Sequence, residues 1–593
     1  MSSIEKKLKK WVRWLPWLIV AAILLYAASA SIADKQFQWL QPPDWSRGKL
    51  IGKTALREAA VLAVDPQDNV YMLLFPGSGT RQDAALVSLD AHGNERWEQL
   101  LATDLATPTS PKLLWHEEQL IAFWLLDETV HRATIAANGS VLTPSEPLTF
   151  EVPVASFETA VSADGLALWV GGTQTEPGVY AQFDDEPAQL IDAEGRSPLI
   201  QVDENGRLHA AWLRRLSGIN NVVLYGGTSA TDSWFNEPIE LTQLTLGSTA
   251  RLRGPWFTLE NGRGYLAWST EFLSGLSAGQ SLSQFVSFAL EPNAVVSSPA
   301  DFEVPYRRQR DYPQEAGPIQ AGNRVPLLES RGRKASPLGG QALISQQASA
   351  QESVLALRVS VEHLKQQGAS QIALYYLAEG QPNGYQILTF SPSGSMHPAL
   401  TQTASGDLLV SWLERSQSSG INVYFAGTPS ALQTSFSRLT LQDYGIFVVE
   451  TLFGMMQSVS FAPFSLLFWA GVPLVFLALT GLLRRKDQSW RHPAFLVPLI
   501  TAVVIFWFAK YITLQDALWY VPFSAWIPII PSWFALPLRI LTPLAITAFA
   551  AYLAWHFSYR QHRNSILLLF GIYAGLDTIL SMSIYGGILY NAL

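Results

Sequence analysis

Between about Leu50 and Leu439 the chain alternates short apolar runs with clusters of Gly, Asn, Asp, Pro and Ser, and amphipathic helical spacing is scarce. Short alternating runs bounded by turn formers are the pattern of antiparallel strands. From Ile446 onward charge becomes rare and long apolar runs follow one another. The pattern divides the chain into three parts: residues 1–34, a strand-rich region over 35–445, and an apolar region over 446–593.

The strand-rich region repeats itself. Ser197–Thr228 recurs 200 positions later as His397–Thr428, without a gap. Pro198 falls on Pro398, Gly206 on Gly406, Trp212 on Trp412, Arg215 on Arg415 and Thr228 on Thr428. Each copy reads as a strand, a tight turn at Gly, a strand ending on Trp, a loop and a third strand. Weaker relatives keep parts of the motif: Pro255, Gly262 and Trp268; Pro111 and Trp124; Asn69 and Phe75; Gly165 and Trp169; and a degenerate stretch over 342–376. Turns are expected near 68, 118, 165, 206, 262, 350 and 406, mostly 41–56 residues apart. That step is the size of a four-stranded propeller blade. The expectation is an all-β propeller of six or seven blades, with an insertion over about 292–340. Each Trp should pack between neighbouring sheets, because one blade cannot bury its own faces.

The apolar regions predict one N-terminal and four C-terminal transmembrane helices. Leu15–Ala33 follows a basic run and approaches the ~20 residues needed to span a bilayer. It reads as a retained anchor or as a removable signal peptide, Ala28-Ser29-Ala30 being an acceptable cleavage site. The C-terminal spans are expected at Phe461–Leu483, Phe495–Phe508, Phe534–Phe557 and Ile566–Leu589, with Lys510 just beyond the second. Basic loops at 484–491 and 560–563 alternate with these spans, which puts both in the cytoplasm and the strand-rich domain outside. The expected place is the cell membrane, multi-pass, with the C-terminus outside. The segment 514–533, broken by Pro522, Pro528 and Pro531 and rich in Trp and Tyr, is expected to lie in the membrane interface.

Charge and cysteine content narrow the chemistry. The net charge is −8, but 1–34 carries +3 and 449–593 carries +4, so the strand-rich part carries about −15. So acidic a domain repels phosphate backbones, and nucleic acid is not an expected partner. There is no cysteine, which excludes thiol catalysis, disulfides and Cys-ligated metal.

The spacing P-x(7)-G-x-L-x(3)-W, shared by Pro198–Trp212 and Pro398–Trp412, resembles the repeats of sialidase-like (BNR-type) propellers. That resemblance covers the strand-rich domain and implies its fold. The family's Asp-box is not met, since Thr228–Trp234 reads TSATDSW and lacks the Gly. Ser88–Trp97, SLDAHGNERW, looks more like the strand-end motif of quinoprotein-type propellers. A glycosidase of the sialidase type implies an arginine triad, a Tyr/Glu pair and an acid. The early Arg-Ile-Pro signature is absent, Arg324-Val325-Pro326 comes late, and Arg215 and Arg415 read as surface residues of equivalent loops.

Other candidates are few. Arg539 and Asp577 lie within spans at similar depth, and an ion pair between them is expected. The nine histidines show no metal-ligand spacing, and His209 reads as a half-exposed strand residue. Acidic turns such as Asp184-Asp185-Glu186 and Asp203-Glu204 read as solvated, and Tyr306–Arg310 and Arg331–Lys334 as basic parts of the insertion. No nucleotide or cofactor motif appears, so no cofactor and no metal is expected. The sequence favours a non-catalytic binding or scaffold domain for a protein or glycan partner. A cell-surface glycosidase and a transporter or sensor component are the alternatives.

Overall fold

In the computed structural model the described residues run from 44 to 586, apart from short loop stretches and longer ones at 306–333, 343–352, 439–455, 484–495 and 520–534. The N-terminal apolar segment and both basic stretches of the insertion, apart from a backbone pairing at Lys334, lie outside the described residues.

Seven antiparallel sheets form the blades, six of four strands and that of blade one of five. Their innermost strands are Leu62–Val64, Thr109–His116, Val154–Ser162, Gly195–Val202, Ala250–Glu260, Gly339–Ala342 and Ser395–Gln402, in blades one to seven. Each packs against the next, and the seventh returns to the first. Of the two expected blade numbers, seven is the one found. The weak stretch over 342–376 supplies two strands of a complete blade six, Ser353–His363 and Gln366–Ala378. The turn expected near 350 falls outside the described residues, between strands paired from Gly339↔Arg358 to Ala342↔Leu355.

The ring is closed by a strand from the other end of the domain. Lys49–Thr54 pairs antiparallel with Ile421–Gly427 and becomes the outer strand of blade seven. Ser46 backbone N–H donates to the Gly427 carbonyl at 2.8 Å, and Gly427 N–H donates to Ser46 Oγ at 3.0 Å. A short helix, α1 (Ser430–Phe436), then seats Leu432 and Phe436 against blades one and seven.

The repeat motif acts locally as its residue types dictate. Asp203 Oδ1 accepts the backbone N–H groups of Asn205 and Arg207, and Gly206 takes the left-handed conformation (φ +76°) that a side chain disfavours. Thr228 Oγ1 accepts Leu208 N–H at 3.0 Å, and Thr428 does the same for Leu408 at 2.9 Å. The Asp90–Asn94 turn of the SLDAHGNERW stretch uses the same device, with Asp90 accepting His92 and Asn94 N–H.

Seven hydrophobic clusters each bridge two neighbouring blades. Trp124, Trp169, Trp212 and Trp412 are fully buried in them, and Trp268 nearly so. The polar edges of two indoles are satisfied: Trp212 Nε1 donates to Asp192 Oδ2 at 2.7 Å and Trp412 Nε1 to Glu414 Oε1 at 2.9 Å. His209 departs from expectation. It is 1 % exposed, stacked on Tyr225, with Nδ1 2.8 Å from the Tyr225 hydroxyl and Nε2 3.5 Å from Asp203. Tyr225 and Trp234 pack on its ring, and the aligned Leu409 of the other copy is buried as well.

Among the described residues, four further helices are long and apolar enough to cross a membrane: α2 (Ala462–Leu483), α3 (Leu496–Trp519), α4 (Ala535–Arg560) and α5 (Ile566–Ser581), the last together with the turn that carries its span to Tyr585. α5 contacts the other three and is continued by a π-helical turn at Met582–Gly586. Helix α3 runs past Lys510 and takes in Leu514–Trp519, the start of the segment expected at the interface; 520–534 lies outside the described residues.

Replacing Trp412 by Ala empties a seam that holds blades six and seven and removes one of the hydrogen bonds to Glu414, leaving those from Ser391 and Ser395. Thermal denaturation should show a loss of about 3–5 kcal/mol; a change within error would mean that the seam is not under load.

Candidate functional site

The inner strands share a defect that the sequence records as a recurring proline. In blade four, Arg196 pairs with Leu213 and Leu199 with Ala211, so three steps on the inner strand face two on its neighbour. The same one-residue bulge occurs at Thr109/Lys112, Arg253/Trp256 and Met396/Ala399. Each contains an X-Pro pair: Ser110-Pro111, Ser197-Pro198, Gly254-Pro255 and His397-Pro398. Proline has no N–H to lose from the ladder, which suits it to a bulge. The residue before it has positive φ: 52° at Ser110, 48° at Ser197, 83° at Gly254 and 49° at His397. Three of these are not glycine, and each costs of order 1–3 kcal/mol of backbone strain.

The bulges line the central channel. A cavity of about 510 Å³ is bounded by all four X-Pro pairs and by residues of every blade, including Glu58, Lys112, Glu158, Arg253, Arg358 and His397. These residues cluster toward the N-terminal ends of the inner strands, at the end of the channel opposite the Asp203–Arg207 and Thr403–Asp407 turns.

The wall is electrically divided. On blades one to three, Ser110 N–H donates to Glu58 Oε2 at 2.5 Å, and Lys112 Nζ stands 2.6 Å from Glu158 Oε2. Burial pushes the Glu58 carboxyl above its ordinary range, with the Ser110 hydrogen bond and the Lys112 charge pulling the other way. On blades five to seven, cations gather. Arg253 is paired with Glu271 at 3.1 Å, while the described hydrogen bond of Arg358 is from Nε to the Ser370 hydroxyl at 2.6 Å. Burial lowers the Arg358 pKa, and so do the nearby charges of Arg253 and Arg415. His397 is pushed below its ordinary value by burial, then by Arg358 and Arg253.

The residues singled out by the repeat fall into two groups. Gly206, Gly262 and Gly406 sit at hairpin turns and Trp212, Trp268 and Trp412 in the seams, whereas Pro198 and Pro398 line the pocket. Arg215 and Arg415 are exposed as expected, but they lie at the ends of the second strands, Leu208–Ser217 and Leu408–Arg415, and not in loops. Arg358 escaped sequence reasoning because it occupies no repeated position, and Arg253 because its equivalent, Arg196, lies just before the aligned repeat. The recurring X-Pro was the available signal.

A second polar site lies in the helix bundle. Lys510 Nζ is 2.6 and 2.8 Å from the two carboxylate oxygens of Asp577, and the side chains are 2 % and 0 % exposed. The Lys510 ammonium also stands 5.2 Å from the centroid of the Trp507 ring. Asp577 thus holds a cation from α3; the Arg539 side chain lies outside the described residues. The apolar run that stops at Phe508 placed Lys510 at a helix end, but α3 continues and carries it into the bundle.

No protein-family model matches the chain, and no curated protein matches it. Among solved structures, the polysaccharide lyase Uly1 is similar at 8 % identity and a TM-score of 0.40, over 64 % of this chain and 91 % of that one. An ulvan lyase gives 8 % and 0.40 over 66 % and 96 %. The WD40 domain of SCAP from fission yeast gives 12 % and 0.29 over 64 % and 83 %.

Two outcomes are expected. Ser197→Gly relieves the left-handed strain without touching the charged wall, so it should raise the melting temperature, by about 1 kcal/mol of added stability; a decrease would show that the Ser197 side chain is needed. Lys510→Met leaves Asp577 buried alone and should cost about 3–5 kcal/mol in detergent-solubilised protein, most of it recovered in the Lys510→Met/Asp577→Leu double variant. A double variant no better than the single would show that the two charges do not pair.

Proposed function

We propose that the chain is a membrane-held propeller, displayed on the outer side, that binds an anionic group of a glycan or protein in its central pocket and does not turn it over. The observation that carries this reading is the Arg253–Arg358–His397 wall, in which the half-buried Arg358 guanidinium faces other cations and donates to no carboxylate within its described hydrogen bonds. Cations crowded together in a partly dry pocket repel one another, and an incoming carboxylate or sulfate relieves that repulsion through charge-assisted hydrogen bonds. The four apolar helices and the flanking basic loops support the membrane placement.

The sialidase-like resemblance favours a second reading, hydrolysis of a glycoside. Arg253 and Arg358 together with Glu58 and Glu158 in one cavity agree with it in part. The described lining contains no tyrosine, and Glu158 is held by Lys112, which favours binding.

Titration of the purified full-length chain with a fluorescent oligogalacturonate tests both. Arg358→Gln should weaken binding about 10–100-fold, the worth of one charge-assisted hydrogen bond, while the exposed Arg81→Gln should not. Equal binding by wild type and Arg358→Gln overturns the reading, and release of shortened sugar would establish turnover. His397 is neutral near pH 7 because its pKa is lowered. As pH falls through that value it gains charge while uronate stays ionised, so affinity should rise on acidification and His397→Gln should flatten the profile.

A further inference from the structure

The two ends of the propeller leave it at one point. Gln433 Nε2 donates to the Asp44 carbonyl at 3.1 Å, and Ser46 and Gly427 exchange two hydrogen bonds. That point has a definite side. Gly427 pairs with Leu409, two residues beyond the Thr403–Asp407 turn, and Lys49 pairs with Phe425. Both connections therefore leave from the face that carries the turns between first and second strands. From there α1 leads on toward α2, the first apolar helix, which begins at Ala462.

Most of the pocket's lining lies toward the other end, with blade four's running on to Gln201. In blade seven, His397 and Pro398 lie at the start of Ser395–Gln402, whose last residue precedes the Thr403–Asp407 turn. Eight residues of strand at ~3.3 Å each separate the two faces by roughly 25 Å.

Charge reinforces the polarity. Exposed carboxylates crowd the tethered face: Glu117 and Glu118 at one turn, Asp185 and Glu186 at another, Glu204 at a third. Burial, Asp407 and Asp65 raise the Asp68 carboxyl pKa on the same face. Such a face cannot offer a lipid phosphate a favourable site, whereas the cationic wall of the pocket can, but it points the other way.

We infer that the pocket opens away from the bilayer and takes its anion from a water-borne molecule, not from a lipid headgroup of the membrane that holds the chain. The ligand half of this inference rests on the anion-binding reading above; the orientation half does not.

The chain has no cysteine, so single cysteines can be placed on either face of the intact protein. Asn205→Cys lies at a turn on the tethered face and Ser217→Cys at a turn on the pocket face, both exposed. Each is labelled with a fluorophore, and the full chain is reconstituted into vesicles carrying a nitroxide-headgroup lipid. Quenching should be several-fold stronger at 205 than at 217; equal or reversed quenching overturns the orientation. In a second arm, oligogalacturonate is titrated onto protein in phosphatidylcholine vesicles with and without phosphatidylglycerol. The dissociation constant should be unchanged at matched ionic strength. A rise of an order of magnitude with phosphatidylglycerol, abolished by Arg358→Gln, would identify the headgroup as the ligand and overturn the inference. Failure of the sugar to bind in either vesicle overturns the anion-binding reading and the ligand half with it, while the quenching order still decides the orientation.

Discussion

A four-stranded sheet has two faces, and neither can be buried by the sheet itself. Everything in the strand-rich part of this chain follows from that constraint. Each blade covers its neighbour through a seam of buried Trp, Tyr and aliphatic side chains, so the sheets stack around an axis until the last meets the first. The stack is stable only when it closes. Closure falls to Lys49–Thr54, which supplies the outer strand of blade seven. The buried carboxylates Asp192 and Glu414 finish two of the seams: each takes the N–H of a buried indole, Trp212 and Trp412.

Closure also creates the pocket. Seven inner strands meeting at an axis leave a channel too wide for their side chains to fill, and the bulges decide what faces it. By inserting one residue ahead of each recurring proline, the chain turns Ser197 and His397 into strained positions on the channel wall. A regular ladder would have cost less. The strain is retained where cationic and acidic groups from different blades converge, the pattern expected when a site is built on a rigid scaffold.

The architecture was largely legible in the sequence, because blade residues repeat. The step from Gly206 to Trp212 located its relatives, and hydropathy found the four C-terminal helices. The site was not legible, for a physical reason. A pocket on the axis of a propeller is assembled once, from one to five residues of each blade, so Arg358 carries no periodic signal and Arg253 is echoed only by Arg196. The repeated proline was visible, but a proline preceding a strand and a proline inside a bulge read alike until the register is known. Lys510 was hidden differently: a lysine at the edge of an apolar run looks like the end of a span, and only the helix's continuation to Trp519 brings it opposite Asp577.

The closing strand has a consequence in time. Lys49–Thr54 is made first and must wait for Ile421–Gly427, more than 360 residues later, before it has a partner. At ~5–20 residues per second that is an interval of tens of seconds. Throughout it, the leading strand presents unpaired backbone beside an incomplete ring, and the open seam of blade six exposes apolar surface. Contacts so distant in sequence also make the last step of folding slow. The lysines at 49 and 53 discourage a wrong strand from occupying the gap. The helices that follow the propeller emerge only after that gap can close, so the order of synthesis favours a finished ring before the last apolar helices are made.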